Sequence, residues 1–264
     1  MAKARVTAVD VGAVAGAQSV RRALAVLRAL AEGQEAGVGL SDVARTTGLS
    51  RPTVHRIVRA LMEEGLVEQN ARNHRYAIGE QVSILALARR SRSPLLLAAQ
   101  PHLDRLAKEI GDTLFLTVMA GSDTVCVARR IGAFPIQVLS IEVGARRPLG
   151  VSSAGIALLA ALAPDHAAAI VMRNKLRFRS YQVTPSAVLD QVRVARRRGY
   201  EVRPIGLVPG TKSLSVVVRD AAGAPVAALT ISAIVDRLPP RRECQCAARL
   251  REAAREIERT LIRA

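Results

Sequence analysis

Two helical patterns separated by only three residues constrain this chain more than any other feature. The run Asp42-Val43-Ala44-Arg45-Thr46-Thr47 reads as a short helix, with Ser41 as its N-cap and Gly48 as its C-terminal stop. Leu49 follows, and Ser50 caps the next helix. Pro52 lies in that helix's first turn, where a missing N–H is no loss. Val54, Ile57, Val58 and Leu61 then recur at i, i+3, i+4 and i+7, and the pattern ends near Glu64-Gly65. A three-residue turn of this kind sets two helices at the steep angle of a helix-turn-helix. Two extended runs, 66–69 and 74–78, flank the turn Asn70-Ala71-Arg72-Asn73, so a β-hairpin follows at once. Residues 39–78 therefore read as a winged helix-turn-helix.

In that motif the second helix enters the DNA major groove N-terminus first. Its first turn here carries Arg51, Thr53, His55 and Arg56. Arginine can hold guanine in a bidentate grip, and threonine can touch a thymine methyl or a phosphate. The helix N-terminus itself favours a phosphate. Arg59 is better placed for the DNA backbone, and Ser41 and Ser50, at the two helix starts, belong to the candidate DNA-binding set. Arg72, His74 and Arg75 surround the wing tip, in reach of flanking phosphates or the minor groove. His55 and His74 also fit an orienting or plain surface role. The whole chain holds 39 Lys and Arg against 22 Asp and Glu, a net +17. That balance suits a polyanionic partner, although an Arg-rich solvated surface would produce it too.

Composition removes several other classes. Aromatic residues are 2% of the chain and tryptophan is missing, so cores rest on Ala, Val, Leu and Ile. Stacking platforms for single-stranded nucleic acid are correspondingly disfavoured. The three cysteines are an odd count, and Cys244-Gln-Cys246 has no His or Cys nearby to complete a metal site. No disulfide, metal or cofactor is expected. No apolar run nears the ~20 residues that span a bilayer, so no membrane partner is expected. Residues 1–17 read as a disordered tail rather than a signal peptide, and a cytoplasmic location follows. Ser152, Ser153 and Cys126 lack a recognisable His partner, and His102 and His166 sit in no catalytic setting, so catalysis is not expected.

Val20, Leu24, Leu27 and Leu30 make 18–32 an amphipathic helix. The chain thus divides into the tail at 1–17, a DNA-binding domain at 18–79, a linker helix at 80–93 and a second domain at 94–264. The last begins with a helix at 95–110. Strands fit 113–120, 123–131 and 136–141, and an Ala/Leu helix runs from Ser152 or Ser153 to Leu162. A helix at 185–199, strands at 200–204, 213–219 and 225–233, and a final helix from Pro240 complete it. Mostly antiparallel strands with helices on their faces describe an α+β sensor domain. The basic run from Arg173 to Arg198 reads first as a solvated face, then as a secondary DNA or tetramer contact.

The chain resembles the IclR family of bacterial transcription regulators. The resemblance rests on Ser19-Val20-Arg21-Arg22-Ala23-Leu24, Leu40-Ser41-Asp42-Val43-Ala44, Gly48-Leu49-Ser50, Thr53-Val54-His55-Arg56 and Arg75-Tyr76-Ala77-Ile78-Gly79. It continues through Arg147-Pro148-Leu149, Ser153-Ala154-Gly155, Ala157-Leu158-Leu159-Ala160, Arg198-Gly199-Tyr200, Pro209-Gly210 and Val226-Ala227-Ala228-Leu229. It implies an α/β (α+β) protein: a winged helix-turn-helix, a linker helix and a GAF-like effector-binding domain. It further implies homodimers, sometimes dimers of dimers, on a palindromic double-stranded DNA operator, with repression more common than activation. An architectural DNA-binding protein without effector control is the alternative.

In relatives a small organic acid sits between the sheet and the loop before the Ala/Leu helix. The resemblance assigns Ser153 and Ala154 to its carboxylate, Thr230 and Ser232 to the hydroxyl positions of the last strand, and Leu139 and Leu149 to apolar walls. Capping and strand packing account for Ser153, Thr230 and Ser232 equally well. The chain departs from the family at Arg203-Pro204-Ile205-Gly206, where relatives often carry acidic residues. It also has Val217 where some have Cys, and Ile156 where many have Lys. The effector is accordingly expected to be a carboxylate or an apolar metabolite, with Arg203 available as a carboxylate partner.

Overall fold

The structure is a computed structural model that describes residues 17–31, 33, 37–90, 94–203 and 208–263. The tail expected at 1–17 lies almost wholly outside the described residues, as do Pro204, Ile205 and Gly206. The chain divides into two compact units, with the boundary between Ser91 and Arg92.

The first unit contains α1 (Gln18–Ala31), α2 (Leu40–Thr47), α3 (Arg51–Glu63), the hairpin strands β1 (Val67–Gln69) and β2 (Tyr76–Ile78), and α4 (Glu80–Arg90). Its core is Val26, Leu30, Val43, Val54, Val58 and Leu61. The 3.6-residue stripe of α3 thus turns inward, as its spacing demands. Gly48 ends α2 in the left-handed conformation at φ 69°.

Ser41 is not the N-cap of α2. The helix starts two residues earlier because Leu40 packs onto the core, so Gly39 takes the cap position and Ser41 sits in the first turn. Ser50 does occupy the N-cap of α3, but its hydroxyl meets Thr53 Oγ1 at 2.8 Å instead of a backbone amide.

The hairpin pairs Val67 with Ile78 and Gln69 with Tyr76, and is shorter than the runs 66–69 and 74–78. Side-chain turns shorten it. Asn70 Oδ1 accepts from the Arg72 amide at 2.9 Å, and Asn73 Oδ1 accepts from the Arg75 amide at 3.0 Å. Val38 bridges Tyr76 on its other side, an extended segment the sequence reading missed. Gly79 cannot be larger, since a Cβ there would lie 2.3 Å from the Gly65 carbonyl oxygen.

The second unit contains α5 (Pro94–Ile110), β3 (Thr113–Ala120), β4 (Asp123–Arg130), β5 (Arg146–Pro148), α6 (Ser153–Ala161), α7 (Pro164–Arg173), a 3-10 turn (Arg177–Tyr181) and α8 (Pro185–Arg198). It continues with β6 (Glu201–Arg203), β7 (Thr211–Arg219), β8 (Pro225–Ile234), a second 3-10 turn (Val235–Arg237) and α9 (Pro240–Arg263). The strands form one six-stranded antiparallel sheet in the order β5-β4-β3-β8-β7-β6. This is the expected α+β architecture. Leu103, Leu106, Leu214, Leu229, Leu250 and Ile257 join α5 and α9 to one face. Leu149, Ile156, Leu158, Phe178 and Val188 form a second core with α6, α7 and α8.

The strand expected at 136–141 is not formed, and β5 at Arg146–Pro148 takes its place. Gln137 explains the difference. Its amide nitrogen donates to the Gly111 and Gly132 carbonyls at 2.9 and 3.2 Å, and its Oε1 accepts from Thr113 Oγ1 at 2.7 Å. The segment is therefore pinned across the start of β3 as a loop. Helix α7 and the first 3-10 turn were not anticipated.

Candidate nucleic-acid interface and ligand cavity

Alternation along α3 separates two faces. Val54 and Val58 are wholly buried, whereas Arg51, His55, Arg56 and Arg59 are exposed and Thr53 is half-buried. Among the described residues, Arg51, Arg56, Arg59 and Arg72 make no salt bridge. Arg45, on α2, is instead held by Asp42 at 2.6 Å. A row of unpaired guanidiniums on a rigid helix is what phosphate and base-edge recognition requires.

In the wing, Arg72 is exposed near the tip. His74 has φ 54°, so its first role is to turn the chain. Arg75 Nε donates to the Gly37 carbonyl at 3.1 Å, which ties the wing to the segment before α2. Ser41 is exposed at the N-terminus of α2, and Ser50 at that of α3.

The second unit holds a cavity of about 50 Å³ between the sheet and the start of α6. The cross-strand pairs Ser215–Thr230 and Ser213–Ser232 put hydroxyls on the face under α6. Ser215 Oγ donates to Ser153 Oγ at 2.9 Å and lies 2.7 Å from Thr230 Oγ1. Ser152 caps α6 by accepting from the Gly155 amide at 3.2 Å. The Ser153 and Ala154 amides are then at the helix start, where orphan N–H groups favour an anion.

Arg203 lines the cavity, and its Nη1 is buried without a hydrogen-bond partner. Burial pushes the Arg203 guanidinium below its ordinary pKa, a sign that its charge is under-compensated. Glu201, on the same side of β6, is pushed up to about 7 by burial, opposed by Arg203 and Arg198.

Five of the residues assigned to an effector meet in this cavity: Ser153, Ala154, Arg203, Thr230 and Ser232. Three do not. Leu139 is 49% exposed, on a loop whose next residues, Ser140 and Ile141, are the ones that reach the lining. Leu149 is sealed in the core under α6. Val217 shares the face but lies farther along β7, in a separate groove beside Ala157 and Arg196. Thr124, Arg147, Thr211 and Ser213 also line the cavity and were missed. The alternation of Thr211, Ser213 and Ser215 along β7 was the available signal.

Elsewhere the basic run is an exposed face from which two arginines tether neighbouring elements. Arg177 pairs with Asp123 at 2.5 Å, and Arg196 donates to the Ala160 and Leu162 carbonyls at the end of α6, at 3.0 and 2.9 Å. Burial pushes the Cys126 thiol up to about 11, which suppresses any thiolate at neutral pH. Among the described residues no group of three metal-ligating side chains gathers, and no helix is long and apolar enough to cross a membrane.

Residues 19–71 match the model of the IclR helix-turn-helix domain, which makes the first unit that of a DNA-binding transcription regulator. Residues 88–259 match the model of the bacterial transcriptional regulator IclR C-terminal domain. The chain belongs to the IclR family. It is 30% identical to the glycerol operon regulatory protein of Streptomyces coelicolor over 246 residues, 92% of this chain and 96% of that protein. It is 26% identical to the acetate operon repressor of Salmonella typhimurium, covering 91% and 88% of the two chains. Among solved structures, an IclR regulator from Silicibacter superposes with a TM-score of 0.78 at 26% identity, covering 92% and 96%. An IclR homologue from Microbacterium hydrocarbonoxydans, solved with 4-hydroxybenzoate, has a TM-score of 0.69 at 25% identity, covering 92% and 98%. The named relatives are regulators rather than enzymes, as the sequence led us to expect.

Proposed function

We propose that this chain is a cytoplasmic repressor that binds a palindromic operator as a homodimer and is controlled by a small anionic effector in the second unit. The observation that carries the DNA half is the unpaired basic face of α3 on a preformed winged helix-turn-helix. Arg51, Thr53, His55 and Arg56 read the major groove, Arg59 holds phosphate, and Arg72 and Arg75 hold the flank. The effector half rests on the partnerless Arg203 Nη1 in a hydroxyl-lined cavity at the start of α6. The solved 4-hydroxybenzoate complex of a homologue supports a carboxylate as its occupant. Homodimers are supported by the apolar yet exposed Val20 and Leu24 of α1 and Ile84 and Leu85 of α4, side chains that a second copy would cover.

DNase footprinting upstream of neighbouring genes tests the reading. Discrete protection with two-fold symmetry is expected, and uniform coating would instead mark an architectural binder. Arg56→Ala should weaken operator binding by about 1–3 kcal/mol if it reads a base, with the fold intact by circular dichroism. An unchanged affinity would remove Arg56 from the recognition set.

A further inference from the structure

Resting on that reading of the cavity, we infer that its effector is a compact dianion, with one anionic group held at Arg203 and the other at Arg147.

The two arginines come from opposite edges of the sheet, Arg147 from β5 and Arg203 from β6. In a flat sheet, strand spacing of ~4.8 Å would set those edge strands about 24 Å apart. Yet both side chains line the same cavity. The curl of the sheet brings them in from the two sides, with the start of α6 between them.

Neither cation is neutralised there. Among the described residues, Arg147 and Arg203 make no salt bridge, and the lining contains no Asp or Glu. The undescribed stretch 204–207 has no acidic side chain either. Arg147 donates through Nη2 to the Ser140 carbonyl, and Arg203 Nη1 has no hydrogen-bond partner among the described residues. Burial lowers the pKa of both, and at Arg203 the neighbouring Glu201 offsets that fall only in part and without a salt bridge. A chain that keeps two such groups around one hydroxyl-rich space gains from any occupant that returns both charges. A monoanion returns only one of the two charges.

The cavity is small, about 50 Å³, and its lining is rich in hydroxyls. The hydroxyls of Thr124, Ser153, Thr230 and Ser232 suit the oxygens of a short polar ligand more than a long apolar chain. A short dicarboxylate is the simplest molecule with this chemistry.

The test is isothermal titration of the full-length protein with matched acids: propanoate against propanedioate, and butanoate against butanedioate. At least one diacid should bind tighter than its monoacid by roughly tenfold or more, the effect of one added charge-assisted contact. Arg147→Gln and Arg203→Gln, each checked for an unchanged circular dichroism spectrum, should each bring that ratio to within about threefold of unity. If the monoacids bind and neither diacid binds tighter, the dianion assignment falls while a small-anion effector survives. If none of the four acids binds, the assignment and the anionic-effector reading fall together. The wild-type ratio decides the matter even if a variant fails to fold.

Discussion

Asp112→Ala should destabilise the second unit by about 3 kcal/mol, the lower end of the range for breaking a buried ion pair. Asp112 is 1% exposed, at the joint between α5 and β3. Its Oδ1 accepts from Arg237 Nε at 2.6 Å, and its Oδ2 accepts from Arg242 Nη2 at 2.7 Å and Arg237 Nη2 at 3.2 Å. The carboxylate therefore ties the start of the central strand to the turn after β8 and to the first turn of α9. The Arg237 guanidinium also lies over the Phe134 ring, 3.6 Å from its centroid, so the loop before β5 joins the same cluster.

Removing the carboxylate would leave two guanidiniums facing each other without compensation. Both keep some access to water, which screens part of the penalty and sets the estimate at the low end. Asp112→Asn should lose roughly half as much, since it preserves the shape and one acceptor. Urea unfolding followed by far-ultraviolet circular dichroism measures both. A loss below about 1 kcal/mol for the alanine variant would show that the cluster is not the clasp proposed here.

The DNA-binding unit was legible because local rules decide it. Gly48 needs a left-handed φ, Pro52 belongs in a first turn, and the stripe of Val54, Val58 and Leu61 needs one buried face. Ser41 slipped because Leu40, a packing residue, set the helix start, and capping propensity alone does not weigh that. The cavity was only half legible. Ser153, Thr230 and Ser232 came from family position, and the hydroxyl alternation on β7 was visible but unread. Arg147 could not have been paired with Arg203 from sequence. They lie at opposite edges of a six-stranded sheet, and only its curl brings them to one space. The loop at 136–141 failed for a similar reason. Gln137 spends its amide on carbonyls of Gly111 and Gly132, and no local pattern announces such a long-range tether.

Glu201→Gln should stabilise the second unit by about 3 kcal/mol at pH 8 and leave it unchanged at pH 4.5. Glu201 is 3% exposed, and burial pushes its carboxyl up to about 7 from an ordinary value of 4.5. Two cations, Arg203 on its own strand and Arg198 at the end of α8, oppose that rise without cancelling it. Its partner across the sheet on β7 is Ser215, and α6, which packs over it, has no titratable side chain. The folded state thus holds the proton more tightly than the unfolded chain does. Between pH 4.5 and 7 the native state binds more protons, so stability falls as pH rises through that window. Above pH 7 the full penalty of a buried, ionised carboxylate is present. A shift from 4.5 to about 7 corresponds to roughly 3 kcal/mol at 1.36 kcal/mol per unit. Glutamine keeps the volume and removes the titration. Urea midpoints at pH 5, 6, 7 and 8 should therefore decline in the wild type across this range and stay flatter in the variant. Parallel pH profiles for the two proteins would show that Glu201 is ionised at no cost in the fold, and that Arg203 is its counter-ion rather than a free anion partner.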